Sequence, residues 1–249
     1  SAWLAARRYN AGQKDARGLS QMVRWGWYRT VHVKSIESHQ VRALLSSRKM
    51  ILTKCIDLEN ELRGLLKVFG VRLPPRLGHG GFDELVRPKV LALPELARCL
   101  LPLLEARVVL YRTYLQLDTA VRGMARNDAV CQRLMSVPGV GPVTSLTFKT
   151  AVDDPQRFRS SRTVAAPFGL TPRRYQSGEM DNPGRISKAG DPAVRQALYG
   201  AAHALMTRSD AWSVLKAWGL RLAKTRGHRR AVIAVARGWM SGISMYPPW

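Results

Sequence analysis

The feature that most constrains this chain is a pair of long helical-period runs separated by a stretch that cannot stay helical. Over residues 36–69 apolar side chains return at Val41, Leu44, Leu45, Ile51, Leu52, Cys55, Leu58, Leu62, Leu65, Leu66 and Phe69. That three-and-four spacing lines one face of a helix. Glu37 or Ser38 can start it and Gly70 ends it. From about Leu93 to Ala125 the pattern repeats at Leu96, Leu100, Leu103, Leu104, Val108, Tyr111, Leu115 and Leu117. Pro102 is expected to kink this second helix or mark a restart near its beginning. Residues 71–88 carry Pro, Gly and His and read as a tip or turn. Two long helices joined by a short reversal run antiparallel, as a coiled-coil-like hairpin. Their apolar stripes are wider than strict heptads, so further helices or a second chain must cover them. A dimerisation hairpin and the core of a bundle both satisfy that requirement.

The hairpin divides the chain into three regions: 1–35, 36–126 and 127–249. In the first, Ala16 to Tyr28 reads as an amphipathic helix, and Thr30 to Val33 alternates as a short strand does. Trp25, Trp27 and Tyr28 ride on an apolar face. Core packing is the reading that face favours, and base stacking is the other. In the third region a short helix is expected over Asp128–Ser136 and another over Ser161–Phe168. A polar, glycine-bearing stretch follows. Then come helices from Asp191 or Pro192 to about Arg208, from Ala211 to Lys224, and from about Arg229. The fold class expected is mainly α.

Charge narrows the function. The 249 residues carry 40 Lys and Arg against 17 Asp and Glu, a formal net charge of +23. A folded chain so basic calls for a polyanionic partner. Nucleic acid is the first candidate, because neutralising phosphates releases condensed counterions. A basic structural protein is the blander reading. Cys55, Cys99 and Cys131 lie far apart without metal-ligand spacing, and their odd number argues against a disulfide framework. A reducing cytosol fits. No apolar run reaches the length of about 18 residues that a membrane span needs. The chain begins with Ser1, without an apolar signal core, which suggests a fragment or a processed start.

Four constellations carry chemistry. Val137-Pro-Gly-Val-Gly-Pro-Val-Thr144 spaces Gly139 and Gly141 by one apolar residue between helices. Those glycines permit positive φ and close backbone approach, and the next helix start offers unpaired N–H groups to a phosphate. This is the pattern of a helix-hairpin-helix DNA-binding element; a purely structural tight turn has the same signature. In the second, Arg173-Arg174-Tyr175-Gln176-Ser177-Gly178-Glu179 is followed by Gly184-Arg185-Ile186-Ser187-Lys188. A serine hydroxyl attacks a phosphodiester when cations stabilise the developing charge, and Arg173, Arg174, Arg185, Lys188 and Arg195 supply cations. By itself a Ser-Gly pair is more often a turn, and no neighbouring base stands out. The third is the basic run Lys216–Arg237, read as phosphate contact or as a solvated face. The fourth is Asp15, a lone carboxylate and most simply a helix cap.

Together these segments resemble the transposases of the insertion-sequence-110 and 1111 class, the bridge-RNA-guided serine transposases. Asp15-Ala-Arg-Gly-Leu19, Trp27-Tyr28 and Val31-His-Val-Lys-Ser35 look like the end of that family's RuvC-like domain. Arg42-Ala-Leu-Leu45, Asp57-Leu-Glu-Asn60 and Arg63–Gly70 look like the first helix of its coiled coil. Pro138-Gly-Val-Gly-Pro142, Phe168–Pro172, Tyr175–Gly178, Ile186-Ser-Lys188 and Gly190-Asp191 look like its C-terminal transposase domain.

The resemblance implies an α/β RuvC-like remnant over 1–35, the helical hairpin, and a helical catalytic domain. It implies a covalent phosphoserine link to DNA formed by Ser177, with Gly139, Gly141, Arg173, Arg174, Arg185, Lys188 and Arg195 holding DNA. It also implies Mg²⁺ at an acidic cluster to which Asp15 belongs, and an element-encoded guide RNA that pairs with donor and target. The expected assembly is a homo-oligomer, in the bacterial cytoplasm and on the nucleoid. Gly12 stands where the family has an acid, and the earlier acids would precede Ser1. A catalytically inactive nucleic-acid-binding remnant is therefore the alternative expectation.

Overall fold

The computed structural model describes residues 12–27, 32–158, 168–169, 172–177, 180–187, 190–210 and 212–243. The chain divides into two compact units, Ser1–Lys34 and Ser35–Trp249.

In the first unit one helix, α1 (Gly12–Arg24), is described. It ends in a Schellman turn: Gly26 takes φ +67, the Trp27 amide donates to Met22 O at 2.9 Å, and the Gly26 amide donates to Val23 O at 3.2 Å. The helix therefore stops before Tyr28, where hydrophobic periodicity alone would have carried it. Trp25 and Trp27 meet edge to face at 5.4 Å and are 66% and 69% exposed, so they do not enter a core. The short strand expected over 30–33 is not formed at its described residues, His32 and Val33; its other positions lie outside the described residues.

The second unit is built on α2 (Ile36–Val68) and α4 (Pro94–Arg126), the two long helices that the periodicity predicts. They run antiparallel in a constant register. Arg48 meets Asp118 at 2.5 Å, and Glu59 meets Arg107 at 2.5 Å. Helix α4 passes through Pro102 without ending, so the expected restart does not occur. Helix α2 closes on a second Schellman turn, with Gly70 at φ +80 and the Val71 amide donating to Leu66 O.

The region between the two holds a helix that the sequence reading missed, α3 (Phe82–Leu91). Asp83 and Glu84 occupy its first turn, where negative charge suits the helix dipole. Phe82, Val86 and Val90 recur every fourth residue and are fully buried against Leu62, Leu66, Leu100 and Leu104. Pro88 lies inside α3, and its presence is why composition suggested a turn. Beside this cluster the Arg107 guanidinium, 1% exposed, donates from Nε to Glu59 Oε1 at 2.9 Å and lies against the rings of Phe82 and Tyr111. It also donates to His79 O, while His79 Nδ1 meets Glu59 Oε2 at 2.7 Å. The tip is thus stapled to both long helices by one buried ion pair.

The remaining helices are α5 (Ala129–Met135), α6 (Pro142–Val152), α7 (Pro192–Thr207), α8 (Val214–Arg226) and α9 (His228–Ile243). A two-stranded antiparallel sheet, β1 (Pro172–Ser177) and β2 (Met180–Ile186), precedes α7. The expected helix over 161–168 falls outside the described residues apart from Phe168. The root of the hairpin joins the rest of the unit through Val41, Val121, Ala125, Cys131 and Leu146. The hairpin is therefore covered by helices of its own chain at that end, and residues 36–126 share a core with 127–249. A larger core gathers Phe148, Phe168, Val194, Leu198, Leu205, Val232, Val235 and Trp239. The described residues are mainly helical, as expected.

Helix α2 is also tied to α6 at its start. Asp153, which follows α6, takes φ +61 and accepts from Ser35 Oγ at 2.7 Å, the Ser35 amide at 3.0 Å and Ser38 Oγ at 2.5 Å. A residue distant in sequence thereby holds the N-terminus of the long helix, and the positive φ is a strain that those bonds offset.

Candidate active site and nucleic-acid interface

The serine-bearing stretch is a β-hairpin in which Ser177, the last residue of β1, pairs with Met180. Arg174 pairs with Pro183, Tyr175 with Asn182 and Gln176 with Asp181. The pairing is irregular between Pro172 and Arg174, so β2 carries an extra residue at the base, where Gly184 and Arg185 lie. Such a bulge increases the local twist. Arg173 and Arg174 belong to β1 and Arg185 to β2. Lys188, Gly178 and Glu179 lie outside the described residues.

Both feet of this hairpin are fixed to the helical body. Phe168 is 4% exposed and its ring lies 6.1 Å from that of Phe148. Ile186, which pairs with Pro172, packs against the same core. Arg195 Nη1 donates to Phe168 O at 3.2 Å and to Gly190 O at 3.1 Å, so one guanidinium clasps the chain before β1 and after β2. Gly190 turns the chain with φ +86, and Asp191 caps α7 by accepting from the Ala193 amide at 2.8 Å. Asp191 also receives Arg42 of α2 at 2.6 Å. Burial alone would raise the Asp191 pKa; the Arg42 and Ala193 bonds outweigh it and hold the carboxyl below its usual range. From Pro172 to Ser177 the strand advances about 17 Å, so Ser177 stands at the end farthest from these anchors.

The Pro-Gly-Val-Gly-Pro segment joins α5 to α6. Asp128 caps α5 by accepting from the Cys131 amide at 2.8 Å and also receives Lys149 of α6. Burial raises its pKa, but those two partners lower it further, so the carboxyl stays below its usual range. Gly139 has φ +90, and a Cβ there would lie 2.8 Å from Ala201 O, 3.1 Å from Leu205 Cβ and 3.2 Å from Trp239. Only glycine fits between the turn and helices α7 and α9. Gly141 differs: it has φ −107, nothing lies within 4 Å of its would-be Cβ, and it starts α6 without a side-chain cap. The spacing that suggested one role for both glycines therefore covers two different environments.

A groove of about 290 Å³ lies between α2, α6 and α7, lined by Arg42, Arg48, Lys49, Thr147 and Gln196 among others. Arg42 and Arg48 are paired with carboxylates there, and Lys49 donates to the neutral Gln196 at 2.6 Å. The sequence reading missed the Arg42–Asp191 and Asp153–Ser35–Ser38 ties. Asp191 was legible as a helix start, but nothing local points to its partner on α2. Among the described residues no three His, Cys, Asp or Glu side chains converge as metal ligands. Asp15 is placed by its backbone in the first turn of α1. No helix among the described residues is long and apolar enough to cross a membrane.

Residues 131–217, which contain the glycine turn, the serine hairpin, α7 and the clasp at Arg195, match the family described as Transposase IS116/IS110/IS902. The chain is 32% identical over 237 residues to the transposase for insertion sequence element IS1111A of Coxiella burnetii, covering 90% of this chain and 63% of that one. It is 32% identical over 203 residues to a protein of Pseudomonas aeruginosa named "Probable family 20 transposase", covering 77% and 58%. To the transposase for insertion sequence element IS1328 of Yersinia enterocolitica it is 26% identical over 208 residues, covering 84% and 62%. The chain thus spans about three fifths of the length of these relatives. Residues 131–217 carry the domain of this transposase family, and most of the chain is similar to insertion-sequence transposases.

Proposed function

We propose that this chain carries the strand-exchange centre of an insertion-sequence transposase, with Ser177 as nucleophile. The Ser177 hydroxyl attacks a DNA phosphodiester. An Oγ–P bond forms, the P–O bond to one deoxyribose breaks, and the departing sugar oxygen takes up a proton as the serine gives one up. Attack on the phosphoserine by a second DNA hydroxyl reverses the step and joins new ends. Arg173, Arg174, Arg185 and Lys188 offset the charge that develops on phosphorus. Arg195, whose Nη1 serves two backbone carbonyls, positions the hairpin instead. The backbone amides after Gly141, in a helix-hairpin-helix-like turn, bind a neighbouring phosphate.

The observation that carries this reading is the place of Ser177, at the far end of an arginine-bearing hairpin whose two feet are clasped by one side chain. The family resemblance adds Mg²⁺, which Asp15 would help to hold; among the described residues no three His, Cys, Asp or Glu side chains converge to complete such a site. It also adds an element-encoded RNA that selects the target by base pairing, a RuvC-like origin for residues 1–35, and a homo-oligomer.

The test incubates the full chain with element-end DNA and the element's RNA and separates protein–DNA adducts under denaturing conditions. Ser177→Ala is expected to abolish the adduct while DNA binding stays within about twofold. Equal adduct from parent and variant would mean that position 177 is not the nucleophile. No adduct from either, with binding intact, would leave a DNA-binding protein without strand-exchange chemistry.

A further inference from the structure

A strongly basic surface outside the hairpin is the corner between α8 and α9. From residue 211 onward the sequence has no Asp or Glu. It has Arg221, Lys224, Arg226, Arg229, Arg230 and Arg237, all exposed, besides Lys216, which donates to Ser209 O. No side chain of those six is hydrogen-bonded or ion-paired to another described residue. Several cations elsewhere in the same unit are paired with carboxylates: Arg42 with Asp191, Arg48 and Arg122 with Asp118, Arg87 with Asp83 and Glu105, Arg107 with Glu59, Lys149 with Asp128. A solvated face ordinarily intersperses both signs, and a single-sign field repels itself.

The scaffold beneath the charges is rigid. Gly227 alone joins the two helices, at φ +81, and a Cβ there would meet open space. Ala231, Val232, Val235 and Ala236 turn inward. The helices approach so closely that a Cβ on Gly219 would lie 2.6 Å from Val235 Cγ2, and one on Gly238 would lie 3.1 Å from Leu215 Cδ1. Burial of that face leaves Lys224, Arg226, Arg229 and Arg230 gathered around the turn. Arg237 lies two helical turns further along α9, about 10 Å away. No Phe, Tyr or Trp lies within three positions of Gly227, and the ring of the neighbouring His228 sits edge to face against His203 at 5.4 Å, so the corner offers little surface for stacking unpaired bases.

We infer that this corner grips the sugar–phosphate backbone of duplex DNA, outside the hairpin that carries Ser177. The choice of DNA as the duplex rests on the transposase reading; the choice of a duplex backbone rests on the charges and their fixed spacing.

The test measures binding of a short DNA duplex to the full chain by fluorescence anisotropy over a salt series. An RNA duplex of equal length is run in parallel. Replacing Arg226, Arg229 and Arg230 by Gln is expected to make the slope of log K against log salt shallower by about 2–3, at about 0.9 per lost phosphate contact. Replacing the same three by Lys is expected to keep most of the slope. An unchanged slope in the Gln variant overturns the proposal, and so does an equal loss in the Lys variant. A larger effect on the RNA duplex overturns the assignment to DNA. Ser177→Ala is expected to keep the full slope. A corner that passes these tests in a chain that forms no adduct would sink the catalytic reading and leave this one standing.

Discussion

The two glycines of the turn between α5 and α6 make opposite predictions. At Gly139 an alanine Cβ meets a backbone carbonyl at 2.8 Å and two side chains at 3.1 and 3.2 Å, in a backbone conformation of φ +90. The conformation alone costs an L residue about 1–2 kcal/mol. Forcing a methyl into a filled site costs about 1–3 kcal/mol more, because the nearest atom belongs to backbone that cannot swing aside. Gly139→Ala is therefore expected to destabilise the protein by about 2–5 kcal/mol. At Gly141, with φ −107 and open space, alanine is expected to stabilise by about 0.4–1 kcal/mol by restricting the unfolded chain. Urea denaturation of the full chain, followed by far-ultraviolet circular dichroism, separates the two. A Gly139→Ala midpoint within about 0.5 kcal/mol of the parent would refute the packing argument. The same pair tests function: if the amides after Gly141 approach a phosphate, Gly141→Ala weakens DNA binding in a protein no less stable than the parent.

Two further outcomes follow from buried charge. Arg107→Ala leaves the Glu59 carboxylate, 5% exposed, without its guanidinium, and is expected to cost about 3–5 kcal/mol; replacing both residues by Met and Leu is expected to cost far less than the single change, and equal losses would deny that the stranded charge is the cause. The depressed carboxyls of Asp128 and Asp191 contribute stability that is fully present above the ordinary unfolded value of about 4 and is lost as pH falls through the lower folded values. Thermal melting between neutrality and strong acid is thus expected to show a steepening decline below about pH 4, part of which Asp191→Asn removes; an unchanged acid limb in that variant would mean that Arg42 does not hold the carboxyl.

The family placement and the corner at Gly227 bear on each other. The match over 131–217 stops inside α8, before the basic corner. A DNA grip there and chemistry at Ser177 would use different elements of one helical unit, and the two assays above separate binding from strand exchange.

What the sequence determined was local. The two long helices were legible because an apolar stripe is written residue by residue at three-and-four spacing. So were the start of α7 at Asp191-Pro192 and the end of α2 at Gly70, because caps and turns depend on neighbours in the chain. The helix at Phe82–Leu91 was readable in its fourth-residue repeat, yet Pro88 and the surrounding glycines outweighed it. Tertiary structure decided the rest. It set the register that buries Arg107 against Glu59, gave Arg195 both feet of the hairpin, and made Asp153 hold the start of α2. It also separated Gly139, wedged against α7 and α9, from Gly141, where a Cβ would meet open space. Each of these depends on a partner dozens of residues away, and the distance between such partners is fixed by packing, which no short stretch of sequence encodes.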